Sequence, residues 1–278
     1  LRVWRTRATG ELARNRRTRA RLAAAAAHGS AAEAREDGVV HLIRVRRAAV
    51  VPAGALLARL SPAETARVDR AAPGDRDPVA SALLLARLAV ADACGVDPAD
   101  IRVRRRCPRC GSATHGVPVA DRADGGVVPW LSLSRAAGLV VVALSDAGPV
   151  GVDVEPVHEP DAGPRPPGDL AAVVLAAGEP PAAGPHGLLR TWARTEAVLK
   201  AAGTGLAVDP RALRVSDAAG RPEVRVVDAA AGAPLTPPPG AAWWLTDLDA
   251  GADHVAALAA LLPAGATPEL DDRVIPLA

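Results

Sequence analysis

The sequence predicts an α+β fold, and three observations carry the prediction. Two long Ala- and Leu-rich segments, Asp77 to Gly95 and Gly187 to Gly203, read as helices. Apolar or alternating runs typical of strands crowd the stretch after residue 138. Strands and helices mix without the regular βαβ alternation of a doubly wound parallel sheet.

The elements follow from local chemistry. Order is expected to begin at the strand-like Val39 to Val45. "LSPAETARV" opens a helix: Ser61 is a suitable N-cap, Pro62 fits the first helical position and Glu64 completes a capping box. The Asp77–Gly95 helix is closed by its glycine. "IRVRRR" alternates as a strand does, and "CPRCGSATHGVP" (Cys107 to Pro118) is turn-rich. "GLVVVALS" is a continuous apolar run, hence a buried strand. "PVGVDVEP" alternates and ends at Pro156. Glu159 to Gly187 is Pro/Gly-rich, read as loop with a short helix. A helix ending at Gly203 follows, then four strand-like runs, "LRVSD", "EVRVVDA", "AAWWLTDLD" and "HVAALAALL". The tail after Pro263 reads as loop.

Composition bounds the function classes. The 278 residues contain no Phe, Tyr or Met, five Trp and a single lysine, Lys200. The core is therefore expected to consist of Leu, Val and Ala, with Trp as its only large aromatic filler. A net charge of +2 is too small to imply nucleic-acid binding. The Arg-rich first 37 residues read as a flexible or partly helical extension, with a polyanion-binding arm as the alternative. No apolar run of ~18 residues is present to span a membrane, and the charged start has no secretory h-region. Three cysteines cannot all pair, so a reduced, cytoplasmic protein is expected. The C-x-x-C of Cys107 and Cys110 with His115 is part of a zinc pattern, but a convincing fourth ligand is missing, so the loop reads as structural.

Two segments carry chemistry. In "VGVDVE", strand alternation sends Val150, Val152 and Val154 into the core, and Gly151, Asp153 and Glu155 to the other face. The two carboxylates then lie ~7 Å apart at Cα, and Gly151 leaves that face open to approach. On the later helix, Trp192, Glu196 and Lys200 fall at i, i+4 and i+8, along one stripe. The plain readings are an exposed acidic face and a surface Glu–Lys pair. The functional reading brings Glu196 toward Asp153 and Glu155. Three hard oxygen ligands would incompletely surround Mg²⁺ and leave room for a phosphate or pyrophosphate substrate. Lys200 would then neutralise charge developing on a phosphoryl group. Lysine is a compact donor with a tunable pKa, whereas arginine is a fixed planar fork. The retention of one lysine in an arginine-only chain therefore marks position 200.

Taken together, "VGVDVE" and "WARTEAVLKAAGTGL" resemble the paired signature of the 4′-phosphopantetheinyl transferases, of the larger monomeric, two-lobed, surfactin-synthetase-activating type. "LSLSRAAGLVVVALS" is similar to the family's S-H-S segment, "CPRCGSATHGVP" to its H-G-K-P loop, and "VVLAAGE" to a short helix ending in an acid, here Glu179. The resemblance covers about Val39 to Leu262. It implies two pseudo-repeated lobes, residues 38–147 and 148–265, with the active site in the cleft between them, an extension at 1–37 and a tail at 266–278. It also implies Mg²⁺ on Asp153, Glu155 and Glu196, with Glu196 as base and Lys200 steadying the phosphoryl group. Coenzyme A would be held by Arg67, Arg76, Ser134 and Arg135. The partner would be an acyl or peptidyl carrier protein whose serine receives the phosphopantetheine arm, with release of 3′,5′-ADP.

The sequence departs from that signature. Val117 replaces the H-G-K-P lysine, Thr195 the lysine before Glu196, and Arg135 the histidine of S-H-S. Arg135 keeps a phosphate fork. Val117 and Thr195 carry no charge, which motivates a second expectation: a module that binds coenzyme A or a carrier protein without transfer. A hydrolase of another pyrophosphate is a third.

Overall fold

The computed structural model describes residues 40–113, 115–158, 167–216 and 222–278. The Arg-rich extension, and the question of an arm there, lie outside them. In chain order the elements are β1 (Leu42–Ala49), α1 (Ala53–Leu56), α2 (Pro62–Asp69), α3 (Arg76–Cys94), β2 (Ile101–Arg106), β3 (Val117–Arg122), β4 (Trp130–Ala136), β5 (Leu139–Ser145), β6 (Val150–Pro156), α4 (Pro167–Val174), α5 (Gly187–Ala202), β7 (Leu213–Ser216), β8 (Pro222–Val226), β9 (Ala241–Leu248), β10 (His254–Pro263) and β11 (Glu269–Val274). The mixture of helices and several sheets is the α+β class that the sequence predicts.

Local signals work as their chemistry requires. Ser61 Oγ accepts from the Glu64 N–H, and the Glu64 carboxylate accepts from the Ser61 N–H, closing the capping box at the head of α2. Gly95 and Gly203 end α3 and α5 in the left-handed region, at φ 65° and 69°.

One sheet has the order β11-β1-β5-β4, and α3 packs on it, its Leu83, Leu84 and Leu85 buried in a core shared with the sheet and with α1 and α2. Each such leucine contributes about 1.5–3 kcal/mol by leaving water. A second sheet, β6-β10-β9, is covered by α5 through Ala193, Ala197 and Ala201. The far faces of the two sheets share a third cluster: Ile43, Val45, Val141 and Ala143 meet Val150, Val152, Val154 and Leu258. The valines of β6 thus point into the core, as alternation demands.

Three expectations are corrected. Gly151 does not open the other face of β6 to a ligand, because α5 itself lies there. A Cβ at Gly151 would collide with the Ala197 carbonyl oxygen and lie 2.5 Å from the Ala201 nitrogen. The tail is not loop: β11 pairs in parallel with β1, and Leu277 is buried in the α3 core. The described tryptophans do not fill the core. Trp130, Trp192, Trp243 and Trp244 all stay partly exposed at its margins. Each indole N–H must find an acceptor, and Trp243 finds the Leu235 carbonyl at 2.7 Å.

Candidate active site

The edge strand of one sheet, β4, runs beside the edge strand of the other, β6, and serine side chains bridge the seam. Ser132 Oγ accepts from the Val152 N–H at 3.0 Å, supplying the partner that an edge strand lacks. Two residues on, Ser134 Oγ donates to Asp153 Oδ1 at 2.9 Å. Lys200, from α5, completes the junction. Its ammonium donates to Asp153 Oδ1, to Ser134 Oγ at 2.9 Å and to the Val152 carbonyl at 3.2 Å.

The stripe on α5 is arranged as its spacing predicts. Between Thr191 and Lys200 only Trp192, Glu196 and Lys200 are partly exposed, and the rest are buried. All three line one cavity of about 940 Å³, together with Asp153 and Glu155. Trp192 Nε1–H donates to Glu155 Oε1 at 2.7 Å. Burial, then the Asp153 charge, pushes the Glu155 carboxyl up to about 7, against the pull of the Trp192 hydrogen bond and of Lys200. Burial raises Glu196 as well, with Lys200 opposing and Asp153 adding to the rise. Glu196 makes no hydrogen bond among the described residues, and buried Asp153 Oδ2 has no hydrogen-bond partner there. Three carboxylates short of counter-charge suit a hard divalent cation.

The same cavity is lined by arginines. Arg105 of β2 and Arg135 of β4 both face it. Arg67 of α2 stands beside them. Burial, followed by the charges of Arg105, Arg135 and Arg70, lowers its pKa to about 10. Arg105 is lowered by burial and then by Arg135. Buried cations crowded by like charges in this way favour an anion. Among the described residues the only ion pair in the group is a long one, Arg135 to Asp75 at 3.8 Å.

The sequence-derived residues divide accordingly. Asp153, Glu155, Glu196, Lys200, Ser134 and Arg135 meet in the cavity. Arg67 supports it from outside, and Arg76 is exposed at the head of α3 and does not line it. The Ser134 hydroxyl lies within the acid cluster, bonded to Asp153 and Lys200. Glu179 is buried elsewhere: its carboxylate accepts from the Ala176 and Val215 N–H groups at 3.1 and 2.9 Å and closes a turn. Arg105 escaped the sequence reading. Its one signal was the "RRR" run that ends a strand immediately before the Cys107 loop.

Acids at one part of a cavity and arginines at another equip it for a polyanion and a divalent cation together. Residues 149–259 match the model of the 4′-phosphopantetheinyl transferase superfamily. The matched stretch is less than half of the chain. It contains Asp153, Glu155, Glu196 and Lys200, and it leaves out Arg67, Arg105 and Arg135. The match supports the superfamily that the motifs resemble, and a transferase of that type. No curated protein matches the chain.

Proposed function

We propose that the protein is a two-lobed 4′-phosphopantetheinyl transferase. In this reading it moves the arm of coenzyme A onto a serine of an apo acyl or peptidyl carrier protein and releases 3′,5′-ADP. The observation that carries the reading is the convergence of Asp153, Glu155 and Glu196 in one cavity with clustered arginines.

Asp153, Glu155 and Glu196 would hold Mg²⁺. The unpartnered Asp153 Oδ2 and the raised carboxyls of Glu155 and Glu196 support that fit. Bound there, the ion would neutralise charge on the pyrophosphate. Glu196, raised and without a hydrogen bond among the described residues, would take the serine proton as the serine oxygen attacks the phosphorus that carries the pantetheine arm. The bond from that phosphorus to the bridging oxygen breaks, and 3′,5′-ADP leaves with the electron pair. Lys200 holds Asp153 in position and adds positive charge at the reacting group. Arg105 and Arg135, with Arg67 behind them, would bind coenzyme A phosphates. The carrier would dock at the rim beside Leu206, which is exposed and lines the cavity. We read each half, a long helix on a sheet that is mixed in the first half and antiparallel in the second, as one of two pseudo-repeated lobes of a cytoplasmic monomer. No described helix is long and apolar enough to cross a membrane.

A second reading rests on Val117, which lines the cavity without charge where the resembling enzymes carry lysine. It makes the protein a coenzyme A or carrier-protein binder that transfers nothing. Thr195 supports neither reading, because it is buried at 1% exposure and leaves no room for a solvated cation.

Intact-mass spectrometry of apo carrier proteins, incubated with the protein, coenzyme A and Mg²⁺, separates the two readings. A gain of one phosphopantetheine, lost with Glu196→Gln, is the expected result. Coenzyme A binding without mass gain across several carriers would favour the binder and make Val117→Lys the variant to assay.

A further inference from the structure

We propose that the loop joining β2 to β3 is a second metal site of different chemistry, in which Cys107, Cys110 and His115 hold one zinc ion in the wall of the cavity.

The donors are already assembled. One ligand atom from each of the three residues lies within 4.8 Å of the other two. Cys110 Sγ is 3.4 Å from His115 Nε2. Zinc with its usual bond lengths to sulfur and imidazole nitrogen requires that edge of the tetrahedron to be about 3.6 Å. The existing pair is therefore close to the metal-bound spacing.

The backbone is shaped to the same end. The Gly111 N–H donates to the Cys107 carbonyl at 2.9 Å, and the Cys107 N–H donates to the Ser112 carbonyl at 2.8 Å. Gly111 adopts φ 76°, so the chain turns sharply just after the second cysteine. Gly116 then lets the histidine arrive. It has φ 100°, and a Cβ there would lie 2.5 Å from the Arg106 carbonyl oxygen and 2.6 Å from the Cys107 nitrogen. Arg105 fixes the approach by donating to the Gly116 carbonyl at 2.7 Å.

Two thiolates and an imidazole select a borderline-soft ion over Mg²⁺, so this site and the acid cluster would not compete for one metal. Two thiolates also cancel the ion's charge, and a wall that already carries Arg105 and Arg109 gains no net positive charge. With three protein donors, the fourth position belongs to solvent or to an incoming ligand. The effect on this chain is to pin the segment that carries Arg105 and Arg109, both of which line the cavity.

The test uses the full-length chain, reduced, stripped with a chelator and titrated with Co²⁺. We expect one Co²⁺ per chain, with thiolate-to-cobalt charge-transfer absorption and the intense visible bands of a four-coordinate ion. One equivalent of Zn²⁺ should displace it, and excess Mg²⁺ should not. Cys110→Ser and His115→Ala should each weaken Zn²⁺ binding by more than the roughly 100-fold that loss of an outer-shell partner costs. Cys94→Ser should leave binding unchanged. Zn²⁺ should also slow tryptic cleavage after Arg109 in the unaltered chain, and circular dichroism should show each variant folded. Absence of a thiolate–cobalt band in the unaltered chain, or a band that survives Cys110→Ser, overturns the proposal. Cleavage at an unchanged rate with zinc bound overturns the pinning role.

Discussion

Position 200 shows what one side chain can do that its nearest relative cannot. Lys200 is the chain's only lysine, and its nitrogen meets Asp153 Oδ1, Ser134 Oγ and the Val152 carbonyl at a single point. A tetrahedral ammonium carries three rotatable donors for three acceptors around one atom, whereas a guanidinium spreads its donors over a rigid plane. Arginine, the cation this chain uses everywhere else, would not fit that junction. Glu155 gives the sharpest prediction at this scale. Its carboxyl ordinarily titrates at 4.5 and is held at about 7 in the folded protein, first by burial and then by Asp153. Between those values the folded state keeps a proton that the unfolded chain releases. The stabilisation is therefore full below 4.5, declines as pH rises, and is gone above about 7. The metal-free protein should be more stable at the acidic end of that window than at the neutral end, as read from urea midpoints. Glu155→Gln should flatten the slope. Saturating Mg²⁺ should raise the midpoint more at the neutral end, where the carboxylate is free to bind it. A slope that persists in Glu155→Gln would place its origin at another group.

Between elements, the contact that sets the site is β6 against α5. Gly151 places the strand backbone directly on the helix backbone at Ala197 and Ala201, which brings Asp153 and Glu155 to the level of Glu196 and Lys200. Gly151→Ala should cost about 3 kcal/mol or more, beyond ordinary overpacking, because backbone atoms rather than flexible side chains stand in the way. The variant should show a lowered urea midpoint and weakened Mg²⁺ binding, although no ligand has been altered. A midpoint within about 0.5 kcal/mol of the unaltered protein, the range of a neutral surface change, would mean that the two elements are not packed so closely. This contact also marks the limit of what the sequence disclosed. The stripe Trp192–Glu196–Lys200 and the capping box at Ser61 and Glu64 were legible because each is written within a few residues, in the period of one helix. Gly151 was read as an opening for a ligand. Alternation along a strand tells which face a residue takes, not what covers that face. Arg105 and the bond from Ser134 to Lys200 were hidden for the same reason, since both depend on which distant segments meet.

At the scale of the whole molecule, the chain ends where its described part begins. "ELDDRV" has no apolar alternation, so nothing in its pattern announces a strand. Its partner supplies the reason that it forms one. Arg46 Nη2 meets Asp271 Oδ2 at 2.8 Å, and Arg47 Nε meets Asp272 Oδ1 at 3.0 Å, across the parallel pair β1–β11. Those two pairs should differ in energy. The Arg46 side chain is 3% exposed, and without the Asp271 carboxylate its buried charge keeps only a longer pair with Asp92 at 3.4 Å, whereas Arg47 is 21% exposed and has water within reach. Asp271→Ala should cost about 2–3 kcal/mol and Asp272→Ala less than about 1 kcal/mol in urea unfolding. Equal losses would refute the ranking. The same long-range assembly gathers Arg67, Arg105 and Arg135 from α2, β2 and β4 into one group of cations, in which Arg67 and Arg105 are lowered by burial and by neighbouring arginines, while Arg76 remains outside the cavity. If that group receives the coenzyme A phosphates, Arg135→Ala should raise the Kd for coenzyme A roughly ten-fold or more, the loss of one charge-assisted phosphate contact. Arg76→Ala should change it less than about two-fold, since an exposed arginine away from the ligand contributes little. Titration calorimetry at two salt concentrations would separate a specific contact from general attraction, because only the latter fades with screening for both variants alike. A larger loss at Arg76 than at Arg135 would move the anion site out of the cavity and toward the head of α3.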